Sequence, residues 1–547
     1  MWGTTMSKID PITTEVISKY LQSVVDEMGS VIIRTAFSTN IKEREDCTTA
    51  ILNEKGELVT LAERIPFHLG SLLGIGNYVL DHINLDEVED GDVFIGNDAY
   101  RGGGTHLNDM VLMQPIFVEG RYCGWATNLA HHSDFVDRSH KHIYQEGLRI
   151  PPIRLYRKGV LQRDVMDLIL LNCQVPRERK NDFSAQMAAN RLAIQRYRSL
   201  CERYMLATVK AVEAEIMDYA ERKTRESLSR IPNGTYSYSS RFDTNLVDDI
   251  LDLNIEVHVK DGSIHFNLSN NPRQVEAPIN MVITATLATL YYTVKTLVDP
   301  DVPPNSGFHR AISVYAEPGS IFNAQEPAAV YSRTDLSTRI IDMIFAALQP
   351  AIPEQVMAAC TGGGLVTISG TNPRTGRFYV YNDMNGGGMG ARYALDGMDG
   401  TQVHTTNTGN LPIEALELEF PLRVERYELV QDSGGPGRSR GGMCFRRTVR
   451  VLGHDAVVNA GGTNAILPPF GIDGGLPGQV CQVEISGGAK LQKRSGKLTA
   501  DQTVTMIAAS GGGYGPPSER AREKIAKDLY EGRISAAAAK EIYNYTA

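Results

Sequence analysis

No CxxC pair occurs in this 547-residue sequence, and its seven cysteines (Cys47, Cys123, Cys173, Cys201, Cys360, Cys444 and Cys481) are odd in number. That argues against a disulfide framework and against a zinc ribbon. Free, buried thiols packing as small hydrophobes are expected instead. Positive charge is not in excess either. Lys and Arg total 55 against 64 Asp and Glu, a net charge of −9, which argues against a general nucleic-acid binder. The longest apolar stretch, Met281 to Val294, carries four threonines and is too short to span a bilayer. No basic, apolar, small-residue leader opens the chain, so the expectation is a cytosolic protein with no membrane partner. GxxxxGK[ST], strand-linked GxGxxG and GxSxG are all missing. A reaction that needs ATP would draw it from another subunit.

What is present suits a folded protein: 42% apolar and 22% charged residues exclude a disordered chain. The length suggests three or four domains at about 150 residues each. Residues 10–180 read as an N-terminal α+β region. They open with a helix capped by Asp10-Pro11, and a hairpin turns at Asn53 to Gly56. Residues 181–231 read as one long helix or two in series. Residues 232–360 read as a second α+β region, with a turn at Asp261-Gly262 and helices over Ala277 to Val298 and Leu336 to Leu348. Residues 361–516 are rich in glycine and read as mostly β with functional loops, and 517–547 as a helical tail. Helices alternate with hairpins without regular βαβ units, which predicts an α+β fold with antiparallel sheets.

The richest segment runs from Asn97 to Asp109 and is followed by two apolar runs around Glu119-Gly120, then by His131-His132-Ser133-Asp134. Glycine at that turn predicts a two-residue type I′ hairpin. If Val118 pairs with Arg121, Asn108 faces His131, and His106 is a diagonal same-face neighbour of His131 at about 7–8 Å. Asp109 would point to the opposite face unless the chain around it bends. Of the adjacent His131 and His132, only one can face a shared ion in extended structure. A mixed imidazole and carboxylate set suits Mn, Fe or Zn better than Ca or Mg. The plainer alternative is a pair of core histidines with acids on a solvated rim.

Elsewhere the residues read more plainly. Ile41 to Asp46 is a charge run of the kind found on solvated faces. His68 sits among apolar residues and reads as a packed histidine. His140 and His142 lie in a polar loop. Gly511 to Gly515 reads as a mobile loop, or else as an anion nest.

Ordered motifs along nearly the whole chain resemble the hydantoinase B/oxoprolinase family. They include Glu43-Arg44 with Asp46, Pro66 to Ser71, Asn97-Asp98 with Tyr100, Gly103 to His106 with Asp109, and Ala130-His131-His132. Further on come Glu146 to Leu148, Ala185-Gln186 with Ala189-Asn190, Asn407-Thr408, Asp432 to Gly435, Arg440 to Gly442 and Gly511 to Gly515. The resemblance implies one divalent ion (Mn, Zn or Fe) on Asp46, His106, Asp109 and His131, with Glu43 as the alternative acid. It makes Glu43, His68, His132 and Asp134 candidates for orientation or proton transfer. It implies a hydantoinase A-type partner that uses ATP to activate the substrate, while this chain opens a cyclic amide such as a hydantoin, 5-oxoproline or a lactam. The family also contains acetone carboxylase alpha subunits, so ketone carboxylation is the alternative, and a small third subunit would belong with it. A non-catalytic scaffold role is the third reading. The sequence departs from the usual family pattern at Cys47-Thr48, Ala99, Asn108 and the polar loop from Phe135 to His142.

Overall fold

The structure is a computed structural model that describes residues 10–62, 64–133, 140–406, 408–487, 491 and 495–546. It is α+β, as the sequence predicts. Near the N-terminus the helix Pro11–Thr35 starts at the Asp10 cap, whose carboxylate accepts the Thr13 N–H at 3.0 Å. An antiparallel seven-stranded sheet follows. Its strands are β1 (Cys47–Asn53), β2 (Leu58–Leu61), β3 (Val93–Gly96), β4 (Asp109–Val118), β5 (Arg121–His131), β6 (Ile153–Arg157) and β7 (Val160–Leu161), in the order β2-β1-β5-β4-β3-β6-β7.

Both faces of this sheet are covered, so its strands read as continuous apolar runs. Residue parity separates the faces. Cys47, Ile51, Ala126 and Ala130 pack with the helices Pro11–Thr35 and Pro176–Tyr204. Ala50, Leu52, Val111, Met113, Trp125 and Leu129 pack with Leu69, Leu72, Ile75 and Val79 of the helix Leu69–His82. The long helical segment is two helices in series, Pro176–Tyr204 and Leu206–Leu228, broken at Met205, whose φ is 65°.

A second sheet holds β8 (Gly234–Phe242), β9 (Leu251–Lys260), β10 (Ser263–Asn267) and β11 (Ile312–Tyr315), with β11 parallel to β10. The helix expected from Ala277 begins only at Ile283. The reason is Asn280, whose side-chain amide donates to the carbonyls of Val275, Ala277 and Ala329. It thereby fixes a turn where a helix would otherwise start.

The glycine-rich part forms two four-stranded sheets. With β12 (Gly364–Thr371), β13 (Phe378–Asn385), β14 (Leu422–Leu429), β15 (Phe445–Val451), β16 (Ala456–Gly462), β17 (Gln482–Ile485), β18 (Ser495–Leu498) and β19 (Thr503–Ile507), the orders are β13-β12-β16-β18 and β14-β15-β19-β17. The run Gly511 to Gly515 is neither a loop on the surface nor an anion nest. It is buried, and its five backbone N–H groups donate to the carbonyls of Gly442, Ala359, Leu476, Ser439 and Ile472. Here backbones pack directly on backbones. A Cβ on Gly442 would stand 1.9 Å from the Met398 carbonyl oxygen, and one on Gly511 1.9 Å from that of Met389. The helices Arg522–Tyr530 and Ala536–Tyr543 close the chain. Among the described residues no helix is long and apolar enough to cross a membrane.

Candidate metal centre

The β4–β5 hairpin turns at Glu119-Gly120 with φ of 51° and 79°, the type I′ geometry that the glycine predicts. Val118 pairs with Arg121, as counted from the sequence, but the count does not persist. Phe117 pairs with Tyr122, and Ile116 with Gly124, so β5 carries one extra residue. This bulge moves the register by one: His131 faces Asp109, not Asn108. Gly124 sits beside it with φ 135°, where a Cβ would be 2.3 Å from the Leu52 carbonyl oxygen. The bulge therefore supplies what a regular hairpin lacks. Asp109 and His131 become direct neighbours on the face that carries Trp125 and Leu129.

His106 reaches the same point from a turn just before β4, in which Asp109 N–H donates to the His106 carbonyl at 3.2 Å. His106 Nε2 lies 3.0 Å from Asp109 Oδ1 and 3.1 Å from His131 Nδ1, and His131 Nδ1 lies 3.3 Å from Asp109 Oδ1. Asp46 immediately precedes β1, and its carbonyl accepts the His131 N–H at 3.0 Å. Its carboxylate reaches His68 rather than the trio: His68 Nε2 stands 3.3 Å from Asp46 Oδ1 and 4.0 Å from Asp109 Oδ1. His68 is thus part of the constellation as well as buried, with Nδ1 held by Thr48 Oγ1 at 3.0 Å. Asn40 fixes the other Asp46 oxygen at 3.1 Å.

The remaining sequence candidates fall elsewhere. His132 is on the opposite face of the sheet, with Nε2 3.0 Å from Gln186 Oε1 and its ring 4.8 Å from that of Phe183. Glu43 is exposed, 3.9 Å from Lys42 Nζ. Asp134 lies outside the described residues, as does Asn407 of the family motif. His140 is buried against Glu146 at 3.1 Å. Sequence reasoning missed Arg333, at the start of the helix Thr334–Leu348. Its Nη2 lies 3.1 Å from Asp109 Oδ2 and its Nε 2.9 Å from Thr105 Oγ1. No local signal marks an arginine 224 residues from its partner.

Electrostatics prepare the donors. Burial, and then the Arg333 charge, pull the His106 pKa down to about 3, so the ring is neutral and free to ligate. Burial alone would raise the Asp109 carboxyl, but His106 and Arg333 hold it well below the ordinary range. Burial opposes ionisation of Asp46 too, and the charge of His131 and the hydrogen bond from His68 override it. The imidazoles of His106 and His131 and the ionised Asp109 carboxylate, converging at 3.0–3.3 Å, fit a divalent transition-metal ion. The group borders a cavity of about 100 Å³ whose lining also includes Arg44, Arg333, Tyr331 and Gly362 to Gly364.

The hydantoinase B/oxoprolinase family model matches residues 10–517. The chain belongs to that family. The beta subunit of caprolactamase from Pseudomonas jessenii is 30% identical over 97% of this chain and 95% of its own length. The crystal structure of the ATP-dependent caprolactamase from that organism superposes with a TM-score of 0.89, covering 99% of this chain and 97% of the other at 26% identity. A 5-oxoprolinase of Arabidopsis thaliana is 27% identical over 92% of this chain, which spans 42% of that longer protein. A chain of acetone carboxylase also superposes with a TM-score of 0.89, at 16% identity and over 80% of its length, a likeness of fold alone.

Proposed function

We propose that this chain is the metal-binding catalytic subunit of an ATP-dependent enzyme that opens a cyclic amide: a hydantoin, 5-oxoproline or a lactam. The observation that carries the reading is the convergence of His106, Asp109 and His131 at the edge of a cavity, with Asp46 and His68 beside them. Asp46, His106, Asp109 and His131 would hold one divalent ion (Mn, Zn or Fe). When bound, the ion supplies Lewis acidity and lowers the pKa of bound water. Arg333 balances the charge of Asp109 and fixes its orientation. His68 stands where a proton can pass between the cavity and Asp46, with Thr48 setting its ring. Arg44 Nε and Thr408 Oγ1 border the same cavity, buried and without a hydrogen-bond partner among the described residues, and would bind polar atoms of the substrate.

ATP would act on a partner of the hydantoinase A type, because no phosphate-binding motif occurs here. That fits the family, whose caprolactamase member is named as a beta subunit. The test is ring opening by this chain purified together with its ATP-binding partner, on hydantoin, 5-oxoproline and a lactam. ATP-dependent ring opening without bicarbonate, abolished by Asp109→Asn, is expected. ATP turnover that requires bicarbonate and a ketone would replace this reading with carboxylation. Unchanged turnover in Asp109→Asn would leave a scaffold role.

A further inference from the structure

Three more donor side chains meet outside the hairpin. Asp342 comes from the helix Thr334–Leu348, Cys360 from the segment before β12, and His404 from a turn between β13 and β14. Their donor atoms all lie within 4.8 Å of one another. All three are buried, at 2%, 1% and 6% exposure. His404 Nε2 is 3.1 Å from Asp342 Oδ1. The Cys360 N–H donates to that same oxygen at 3.0 Å, and the Gly390 N–H donates to Cys360 Sγ at 3.1 Å. Backbone donors on a carboxylate and on a sulfur are the outer contacts that orient metal ligands and stabilise a thiolate. His404 also has φ 58°, a left-handed conformation that a non-glycine residue keeps only when its surroundings hold it there.

We propose that Asp342, Cys360 and His404 bind a second metal ion, a zinc-like divalent cation, separate from the hairpin centre. Sulfur, imidazole and carboxylate together suit zinc and disfavour magnesium or calcium. Three protein ligands leave one tetrahedral position open. A cavity of about 280 Å³ adjoins the group and is bordered by Tyr292, Met357, Met389 and Met398. The ion would pin the His404 turn. The neighbouring Thr405 carbonyl accepts the Phe67 N–H at 3.3 Å, and Thr405 Oγ1 meets Ser337 Oγ at 3.0 Å. Phe67 precedes His68, so the second ion would brace the segment that carries a residue of the first centre.

Cobalt distinguishes the two sites, because the hairpin centre contains no sulfur. The full chain is stripped with a chelator and loaded with Co2+, as wild type, His131→Ala and Cys360→Ser. Wild type should show a near-ultraviolet thiolate-to-cobalt charge-transfer band. His131→Ala should keep it, and Cys360→Ser should lose it together with one metal ion per chain. Absence of the band from both wild type and His131→Ala, or its survival in Cys360→Ser, would overturn the proposal. If Cys360→Ser does not fold, His404→Gln replaces it, and the first two spectra still decide. The band reports sulfur ligation alone, so it stands or falls whether or not the hairpin holds an ion.

Discussion

The β4–β5 hairpin and the glycine-rich crossing both bring distant backbone segments together, by opposite means. In the hairpin, one extra residue in β5 decides which side chains share a face, and Asp109 meets His131 as a result. In the crossing, side chains are absent where Gly388, Gly442 and Gly511 run against the carbonyls of Gly442, Met398 and Met389 in turn. The first region is tolerant in its fold and demanding in its chemistry. The second is the reverse. Substitutions in the two regions should therefore separate folding from function.

The largest expected effect is in the crossing. Gly442→Ala must move the Met398 carbonyl, since the new Cβ would lie 1.9 Å from it. A cost above about 4 kcal/mol is expected for a change this severe, read as loss of soluble folded protein or a steep fall in the denaturation midpoint. At the hairpin, His106→Ala and His131→Ala should remove the hairpin ion and ring-opening activity together, with circular dichroism unchanged. A hairpin variant that loses its fold along with its metal would erase the contrast.

Smaller effects sharpen it. Gly124→Ala adds a side chain to a residue at φ 135° beside the bulge. Such backbone strain costs about 1–3 kcal/mol, and because the bulge sets the register, metal affinity should fall with stability. Thr48→Val removes the hydrogen bond that orients His68. Loss of an orienting contact typically lowers activity about 10–100-fold, here with the fold intact. The last effect is in pH dependence. His106 has a folded pKa of about 3 against an ordinary 6.5, so between those values the unfolded chain binds a proton that the folded chain refuses. Stability of the metal-free protein should therefore fall as pH drops from 6.5 toward 3. His106→Gln should flatten that part of a denaturation-midpoint profile.

How much of this was legible depended on sequence distance. The type I′ turn at Glu119-Gly120, the split between His131 and His132 and the return of His106 toward His131 all follow from local periodicity. The pairing of Asp109 with His131 did not, because the bulge at Cys123 is set by packing of Gly124 against the Leu52 carbonyl and leaves no mark in the alternation. Asp46 was legible only through family resemblance, since its charge run alone reads as surface. His68 looked like core, and it is core; what periodicity hides is that the adjoining carboxylates come from β4 and from the residue before β1. Arg333 and the group of Asp342, Cys360 and His404 join residues tens to hundreds of positions apart, which no local pattern encodes. In the glycine-rich region, composition suggested loops. It could not reveal that the glycines are there to let backbones touch.

The most direct test is metal content of the purified complex, wild type beside His131→Ala and His106→Ala, each in a Cys360→Ser background so that only the hairpin centre is counted. The account predicts close to one Mn, Fe or Zn per chain with both histidines present, and none when either is replaced. Full occupancy in either histidine variant, or no metal with both histidines present, would contradict it.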